Sequence, residues 1–205
     1  DLDFFKGIVQ WARDKRLIVV HDLAYSDIVF DGYRAPSIME VDGAGDVAIE
    51  FHTLSKSYNM AGWRIGFVVG NSEVLKSLAK VKSYIDFGIF RAVQLATIRA
   101  LTGPQDCVRD IVNIYNRRMN IFIDGLNRIG WKIDKPKGTF YVWTRTPEKY
   151  KKLSSLKFAS LLVENAGIVV APGIGFGESG EGYIRFALVT DEERLKLAIE
   201  RLKKI

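Results

Sequence analysis

The sequence has few of the residues that build disulfides and metal sites. Cys107 is the only cysteine among 205 residues, so an internal disulfide is excluded. The two histidines, His21 and His52, are too few and too scattered to match the spacing of a zinc site. This composition favours a reducing compartment.

Long apolar runs are also missing. No segment approaches the roughly 20 apolar residues that cross a bilayer, and the first residues lack the pattern of a signal peptide. We therefore expect a cytoplasmic protein without a membrane partner. The chain starts at Asp1, without a methionine and inside a helical pattern, which suggests that the natural N-terminus lies elsewhere.

The net charge of +6 raises the question of a nucleic-acid partner. The basic residues are dispersed among Asp and Glu, and the densest cluster, 149–157, lies in no recognisable nucleic-acid-binding module. We expect no nucleic-acid partner. With 48% hydrophobic and 26% charged residues, the chain has the composition of a globular protein with one full domain or two small ones.

Helical and strand patterns alternate in the first half, which predicts an α/β fold. Gly103 and Pro104 suggest a boundary between two domains, 1–103 and 104–205. The predicted helices are 2–16, 72–84 with Ser72 as N-cap, 91–101, 105–129, 155–166 ending at Gly167, and 191–204. The predicted strands are 17–20 as a buried parallel strand, 47–52, 64–70, 131–136, 138–144 as an aromatic core strand, 168–173 and 182–189.

The stretch 51–66, FHTLSKSYNMAGWRIG, collects groups that suit phosphate and carbonyl chemistry around Lys56. Thr53 and Ser55 offer hydroxyl donors, and Arg64 offers a planar fork for a charged phosphate contact. Gly62 and Gly66 would allow close backbone approach. A lysine in a partly dry loop beside an anion site suits covalent chemistry with a carbonyl, because such surroundings lower its pKa.

The run SKSYNMAGWRIG resembles the active-site lysine segment of the class I and II aminotransferases, which use pyridoxal 5′-phosphate (PLP) and have fold type I. The resemblance implies that Lys56 is the catalytic lysine that links to PLP and that Arg64 binds its phosphate. Thr53 takes the place of a phosphate-binding serine of the family, and Ser55 would make an auxiliary contact. The implied fold is α/β: the C-terminal part of the large PLP-binding domain, followed by the small α+β C-terminal domain.

The motif HDLAYSD, 21–27, follows the first predicted strand, where open α/β sheets place ligands. By itself, Asp22 would be read as a cap or turn residue. The resemblance implies that Asp22 keeps the pyridine nitrogen of PLP protonated, as a buried carboxylate does, and that Tyr25 bonds the ring's 3′ oxygen.

The glycines at 175, 177 and 180 match the spacing G-x-G-x-x-G. A strand pattern follows them, whereas a dinucleotide site requires a helix, so we reject NAD binding there. The resemblance instead assigns Arg185, in GYIRFAL, to the α-carboxylate of the substrate.

The implied activity is transfer of an amino group from an amino acid to a 2-oxo acid, in a homodimer. The motifs look most like the LL-diaminopimelate branch, although aspartate-type and alanine-type enzymes share much of them. In the family, the N-terminal half supplies a phosphate-binding loop, a ring-stacking aromatic residue and an asparagine just upstream of the position of residue 1. It also supplies a tyrosine that is donated across the dimer. This chain contains none of them, so we expect it to bind PLP poorly and to have little activity alone.

Two alternatives stay open. One is a PLP-dependent lyase or synthase of the same fold, which its products would reveal. The other is a regulatory module that carries an aminotransferase-like domain.

Overall fold

The structure is a computed structural model that describes residues 1–205. Its chain forms two compact units, 1–112 and 113–205. The division falls within the long helix α6 (Asp106–Arg128), a few residues after the expected domain boundary at Gly103 and Pro104. None of the helices has both the length and the apolar character that crossing a bilayer requires.

The first unit contains a three-stranded sheet in the order β1-β2-β3. β1 runs parallel to β2, as expected for the first predicted strand, and β3 runs antiparallel to β2. The strands are β1 (Val19–Asp22), β2 (Ala48–Thr53) and β3 (Gly66–Gly70). The helices are α1 (Leu2–Lys15), α2 (Ala44–Val47), α3 (Leu54–Ser57), α4 (Ser72–Ile85) and α5 (Arg91–Thr102).

Helix α1 forms because both of its ends are capped and its apolar positions recur at helical spacing. The Asp1 side chain accepts a hydrogen bond from the Phe4 backbone N–H (3.0 Å). Val9 and Ala12 are buried in a cluster that also contains residues of α2, β2 and the turn before α2. These buried residues are Ile38, Val41, Ala44, Val47 and Ala48.

Two predictions for this unit were wrong in detail. The first strand spans 19–22 rather than 17–20, because Arg16 adopts a left-handed conformation and the Leu17 N–H bonds to the Ala12 carbonyl, which ends α1. The strand is not buried, since the Val20 side chain is 61% exposed. The N-cap of α4 is Asn71 rather than Ser72, and its side chain accepts hydrogen bonds from two backbone N–H groups of the first turn.

The second unit contains a three-stranded antiparallel sheet in the order β4-β6-β5. Its strands are β4 (Tyr141–Arg145), β5 (Ala171–Pro172) and β6 (Tyr183–Ala187), and its helices besides α6 are α7 (Ser155–Ala166) and α8 (Glu192–Leu202). Phe122, Trp131 and Phe186 meet edge to face in the core, with ring centroids 4.9 and 5.7 Å apart. Gly167 ends α7 in the left-handed conformation, as predicted.

Three strand predictions in this unit were wrong or too long. Residues 131–136 form no strand, because the Asn127 side chain bonds both the N–H and the carbonyl of Ile133 and holds the segment as a loop. The strand predicted at 168–173 is reduced to β5. The strand predicted at 182–189 is shortened at both ends to β6.

Only one face of the aromatic strand packs in the core. Val142 and Thr144 are buried, whereas Trp143 is 43% exposed on the opposite face. Successive side chains of a strand point to opposite faces, so Tyr141 and Trp143 cannot share the core with Val142.

Candidate active site

The predicted cofactor residues of the first unit lie at one edge of its sheet. Asp22 ends β1 and Thr53 ends β2, and the carboxyl ends of parallel strands meet at the same edge. β3 begins at that edge, since Gly66 pairs with Thr53. The sheet topology therefore brings together the predicted set Asp22, Tyr25, Thr53, Ser55, Lys56 and Arg64.

Thr53 shapes the turn that carries the lysine. Its Oγ1 accepts a hydrogen bond from the Ser55 N–H (3.1 Å) and donates one to the Ile65 carbonyl (3.2 Å). Leu54 is buried directly after it and anchors α3. The hydroxyl that the resemblance assigns to phosphate thus also caps the lysine turn.

Lys56 and Tyr25 are neighbours in space. The Lys56 Nζ lies 5.7 Å from the centroid of the Tyr25 ring, and both side chains are half-buried. The turn at 24–27 after β1 and the short helix α3 therefore place a phenol beside the lysine amine.

A hydrogen bond that the sequence did not predict joins these two turns. The Ser57 Oγ donates to the Asp27 Oδ2 (2.5 Å), and Ser57 is buried. Next to it, the Tyr58 hydroxyl donates to the Gln105 Oε1 (2.7 Å), and burial raises the pKa of that phenol, with the negative charge of Asp27 acting in the same direction. The available signal was position, since Asp27 ends the HDLAYSD motif and Ser57 follows the lysine.

Arg64 and Asp22 both face solvent in this chain. Arg64 adopts a left-handed conformation with φ of 52°, and its Nη1 donates to the Ala61 carbonyl (2.8 Å). The Asp22 side chain is exposed, so residues of this chain do not supply the burial that a partner of a ring nitrogen needs.

The two glycines of the lysine segment differ in their surroundings. A Cβ on Gly66 would lie 2.5 Å from the His52 carbonyl oxygen, so the close approach of β3 to β2 requires glycine there. A Cβ on Gly62 would meet nothing within 4 Å. The structure therefore shows a close backbone approach at Gly66, whereas no protein atom comes close to Gly62.

One face of the sheet holds a buried carboxylate. Glu50 is 1% exposed, and its oxygens lie 2.8 Å from the His21 Nδ1, 2.8 Å from the His52 Nε2 and 2.7 Å from the Ser37 Oγ. The Ile38 N–H donates a further bond (2.9 Å). Burial would raise the pKa of Glu50, but these hydrogen bonds together hold it below its ordinary value.

Arg185, the predicted substrate residue, lies in the second unit on β6. It pairs across the sheet with Trp143 on one side and Ala171 on the other. Its Cζ lies 4.1 Å from the centroid of the Tyr141 ring and 4.5 Å from that of Phe176. Tyr141, which we had assigned to the core, and Phe176, to which we had assigned no role, thus contact the predicted substrate arginine.

Comparisons with known proteins give a consistent result. A sequence model described as aminotransferase class I and II matches residues 1–202. The glutamate-pyruvate aminotransferase AlaC of Escherichia coli K12 is 52% identical over 203 residues, covering 99% of this chain and 49% of that protein. An LL-diaminopimelate aminotransferase of Moorella thermoacetica is 49% identical over 205 residues, covering 100% of this chain and 52% of that protein.

Solved structures agree with the sequence matches. BacF from Bacillus subtilis superposes with a TM-score of 0.94 at 33% identity, covering 100% of this chain and 51% of BacF. A probable N-succinyldiaminopimelate aminotransferase from Thermus thermophilus gives a TM-score of 0.90 at 36% identity, covering 100% of this chain and 54% of that protein. The α/β fold class expected from the resemblance is confirmed. The chain spans about half the length of the curated relatives it matches.

Proposed function

Because the chain belongs to the class I and II aminotransferase family, we propose that it supplies the catalytic lysine and the substrate arginine of an aminotransferase that uses PLP. The observation that carries this proposal is the convergence of Lys56, Tyr25, Asp22 and Thr53 at the carboxyl edge of one sheet. These residues come from two separate turns, so their meeting depends on the fold rather than on sequence spacing alone.

The chemistry of this edge fits the parts of PLP. Arg64 would pair with the phosphate, and the hydroxyls of Thr53 and Ser55 would donate to its oxygens. Asp22 would bond the pyridine nitrogen, and Tyr25 the 3′ oxygen. PLP, when bound, supplies an electron sink for the bond that breaks at the substrate Cα.

Lys56 would hold the cofactor covalently and then move the proton at the substrate Cα. The turn of α3 is fixed by the Thr53 cap and by the hydrogen bond from Ser57 to Asp27. The backbone that carries the Lys56 amine therefore has a defined position. Arg185 would bind the substrate carboxylate with its planar fork.

Labelling with PLP tests the proposal directly. The 205-residue chain and the full-length gene product would each be mixed with PLP, reduced with borohydride and mapped by peptide mass spectrometry. We expect the pyridoxyl group on Lys56 in the full-length gene product, and weaker labelling of the chain alone. Lys76, which is 73% exposed on α4, serves as the internal control for non-specific reaction. Labelling of Lys56 no stronger than that of Lys76 in the full-length gene product would overturn the proposal.

We further propose an amino-acid donor and a 2-oxo acid acceptor, because the matched relatives are named for glutamate, pyruvate and LL-diaminopimelate. Products separate this activity from a lyase of the same fold. A transaminase forms a new amino acid from the added 2-oxo acid, whereas a β-lyase releases pyruvate and ammonia without one.

The proposed assembly is a homodimer. Helices α4 and α5 bury no side chain fully, and apolar residues around the turn between them are 75–94% exposed, namely Tyr84, Ile85, Phe87 and Phe90. Such a patch is typical of an interface. Light scattering of the full-length gene product should give the mass of a dimer, and a monomer at micromolar concentration would contradict this proposal.

A further inference from the structure

The guanidinium of Arg185 is held by aromatic rings and by nothing else in its unit. The rings of Tyr141 and Phe176 flank it at 4.1 and 4.5 Å. Arg185 forms no salt bridge and donates no side-chain hydrogen bond to the protein, although it is half-buried. Its N–H donors therefore remain available to a ligand.

A second arginine on the same sheet face shows the contrast. Arg145 stacks over the Tyr183 ring at 5.1 Å, and its Nε donates to the Tyr183 hydroxyl (3.0 Å). It thus has an acceptor within the protein, while Arg185 has none. Arg145 shows that an arginine can contact a ring and also have a polar partner in the protein. Arg185 contacts rings only, so its N–H donors are left to water or to a ligand.

The strand register places one of the two rings. Trp143 lies directly opposite Arg185, and Tyr141, two residues away on the same face of β4, is its diagonal neighbour. The Trp143 ring also contacts Phe176 at 5.3 Å in a perpendicular arrangement. The exposed face of β4 therefore supplies aromatic rings around the Arg185 guanidinium.

The turn that carries Phe176 is fixed by close backbone packing. A Cβ on Gly173 would lie 1.9 Å from the Gly180 carbonyl oxygen, so both ends of the segment 173–180 touch without side chains between them. The buried Ser155 accepts a hydrogen bond from the Ile174 N–H (3.1 Å) and donates one to Glu181 (3.0 Å). Gly180, the last glycine of the rejected dinucleotide motif, thus helps to shape the turn beside Arg185.

We infer that Tyr141 and Phe176 are positioning residues that hold the Arg185 guanidinium so that its N–H edge meets the planar carboxylate of an amino acid or a 2-oxo acid. The inference rests on the proposed function and deepens it. The rings act through three effects: cation–π attraction, loss of alternative side-chain rotamers and exclusion of water from the guanidinium faces. All three favour binding of a carboxylate without touching the reacting carbon.

The test is a split between KM and kcat in the PLP-loaded full-length gene product, with L-glutamate and pyruvate as substrates. We expect Phe176→Leu and Tyr141→Leu to raise KM by about 3- to 30-fold, the range of a cation–π contact, with kcat unchanged. Phe176→Tyr, which returns a ring, should restore the wild-type KM. Phe4→Leu removes a ring that is 63% exposed, against 51% for Phe176, and that covers no guanidinium, so it should change neither constant.

Arg185→Lys separates the two levels of the proposal. If it raises KM while Phe176→Leu does not, the aromatic inference is wrong and the function of Arg185 stands. If Arg185→Lys leaves KM unchanged, its carboxylate role is wrong and the inference fails with it.

The same contrast can be measured without turnover by titrating pyruvate into the ¹⁵N-labelled full-length gene product and following the Arg185 Nε–H signal. We expect weaker affinity in Phe176→Leu than in wild type. Equal affinity, or no response of that signal in wild type, would overturn the inference.

Discussion

Replacing Lys56 with alanine is expected to abolish transamination by the full-length gene product, with a fall of at least about 10²- to 10⁴-fold from the lost proton transfer alone. Loss of the covalent link to PLP adds to this effect. The side chain is half-buried beside Tyr25, and the turn that carries it is anchored by Leu54 and Thr53 instead. The substitution should therefore remove activity and leave the fold intact.

Two further variants define what the lysine contributes. Lys56→Arg keeps a positive charge but presents a guanidinium that stays protonated, so it should be as inactive as Lys56→Ala. Lys76→Ala removes an exposed lysine of α4 that is paired with Glu73, and should retain full activity. The rate of alanine formation from L-glutamate and pyruvate measures all three. More than a tenth of the wild-type rate in Lys56→Ala would contradict the assignment.

The sequence was sufficient to predict the sheet edge that carries Lys56, because the patterns that predict its strands are local. The apolar runs on either side of Lys56 predicted β2 and β3, and the parallel β1 was expected from its pattern and position. Once two parallel strands are placed, their carboxyl ends must meet, which brings Asp22 and Thr53 to one edge. The roles of these side chains toward PLP stay predictions.

The features that were missed depend on contacts between distant parts of the chain. Ser57 and Asp27 are 30 residues apart, and neither has a pattern that announces the other. The aromatic strand was assigned to the core because of its composition. Its side chains in fact alternate between the two faces, with Val142 inside and Trp143 outside. Phe176 lies in a turn whose shape depends on backbone packing, and the glycines there were compared with a dinucleotide motif only.

The second large effect concerns stability and lies at Glu50. Glu50→Gln is expected to destabilise the first unit by about 1–3 kcal/mol, the usual cost of leaving a buried hydrogen-bonding group unsatisfied. A carboxylate only accepts hydrogen bonds, so it can serve His21, His52 and Ser37 at once. In glutamine, one of the two accepting oxygens is replaced by an NH₂ group, which would face these donors with a further donor. Urea unfolding combined with hydrogen exchange of the peptide 48–53 measures the loss locally.

The matched control is Glu73→Gln, because that carboxylate is 77% exposed and pairs only with Lys76. An exposed pair of this kind contributes about 0–1 kcal/mol, so the control should remain close to wild type. Equal effects of the two substitutions would show that the Glu50 cluster does not stabilise the fold.

The pH dependence gives the same cluster a separate signature. The folded-state pKa of Glu50 is lowered from 4.5, so its contribution to stability is present above the unfolded pKa and is lost as the pH falls through the folded value. The unfolding free energies of wild type and Glu50→Gln should therefore differ most near neutral pH, and the difference should shrink as the pH falls below 4.5 and through the lowered folded-state value. His21 and His52 contact the same carboxylate, so the difference between the two curves reports the whole cluster around Glu50. Parallel curves across this range would mean that Glu50 is held by packing rather than by its charge.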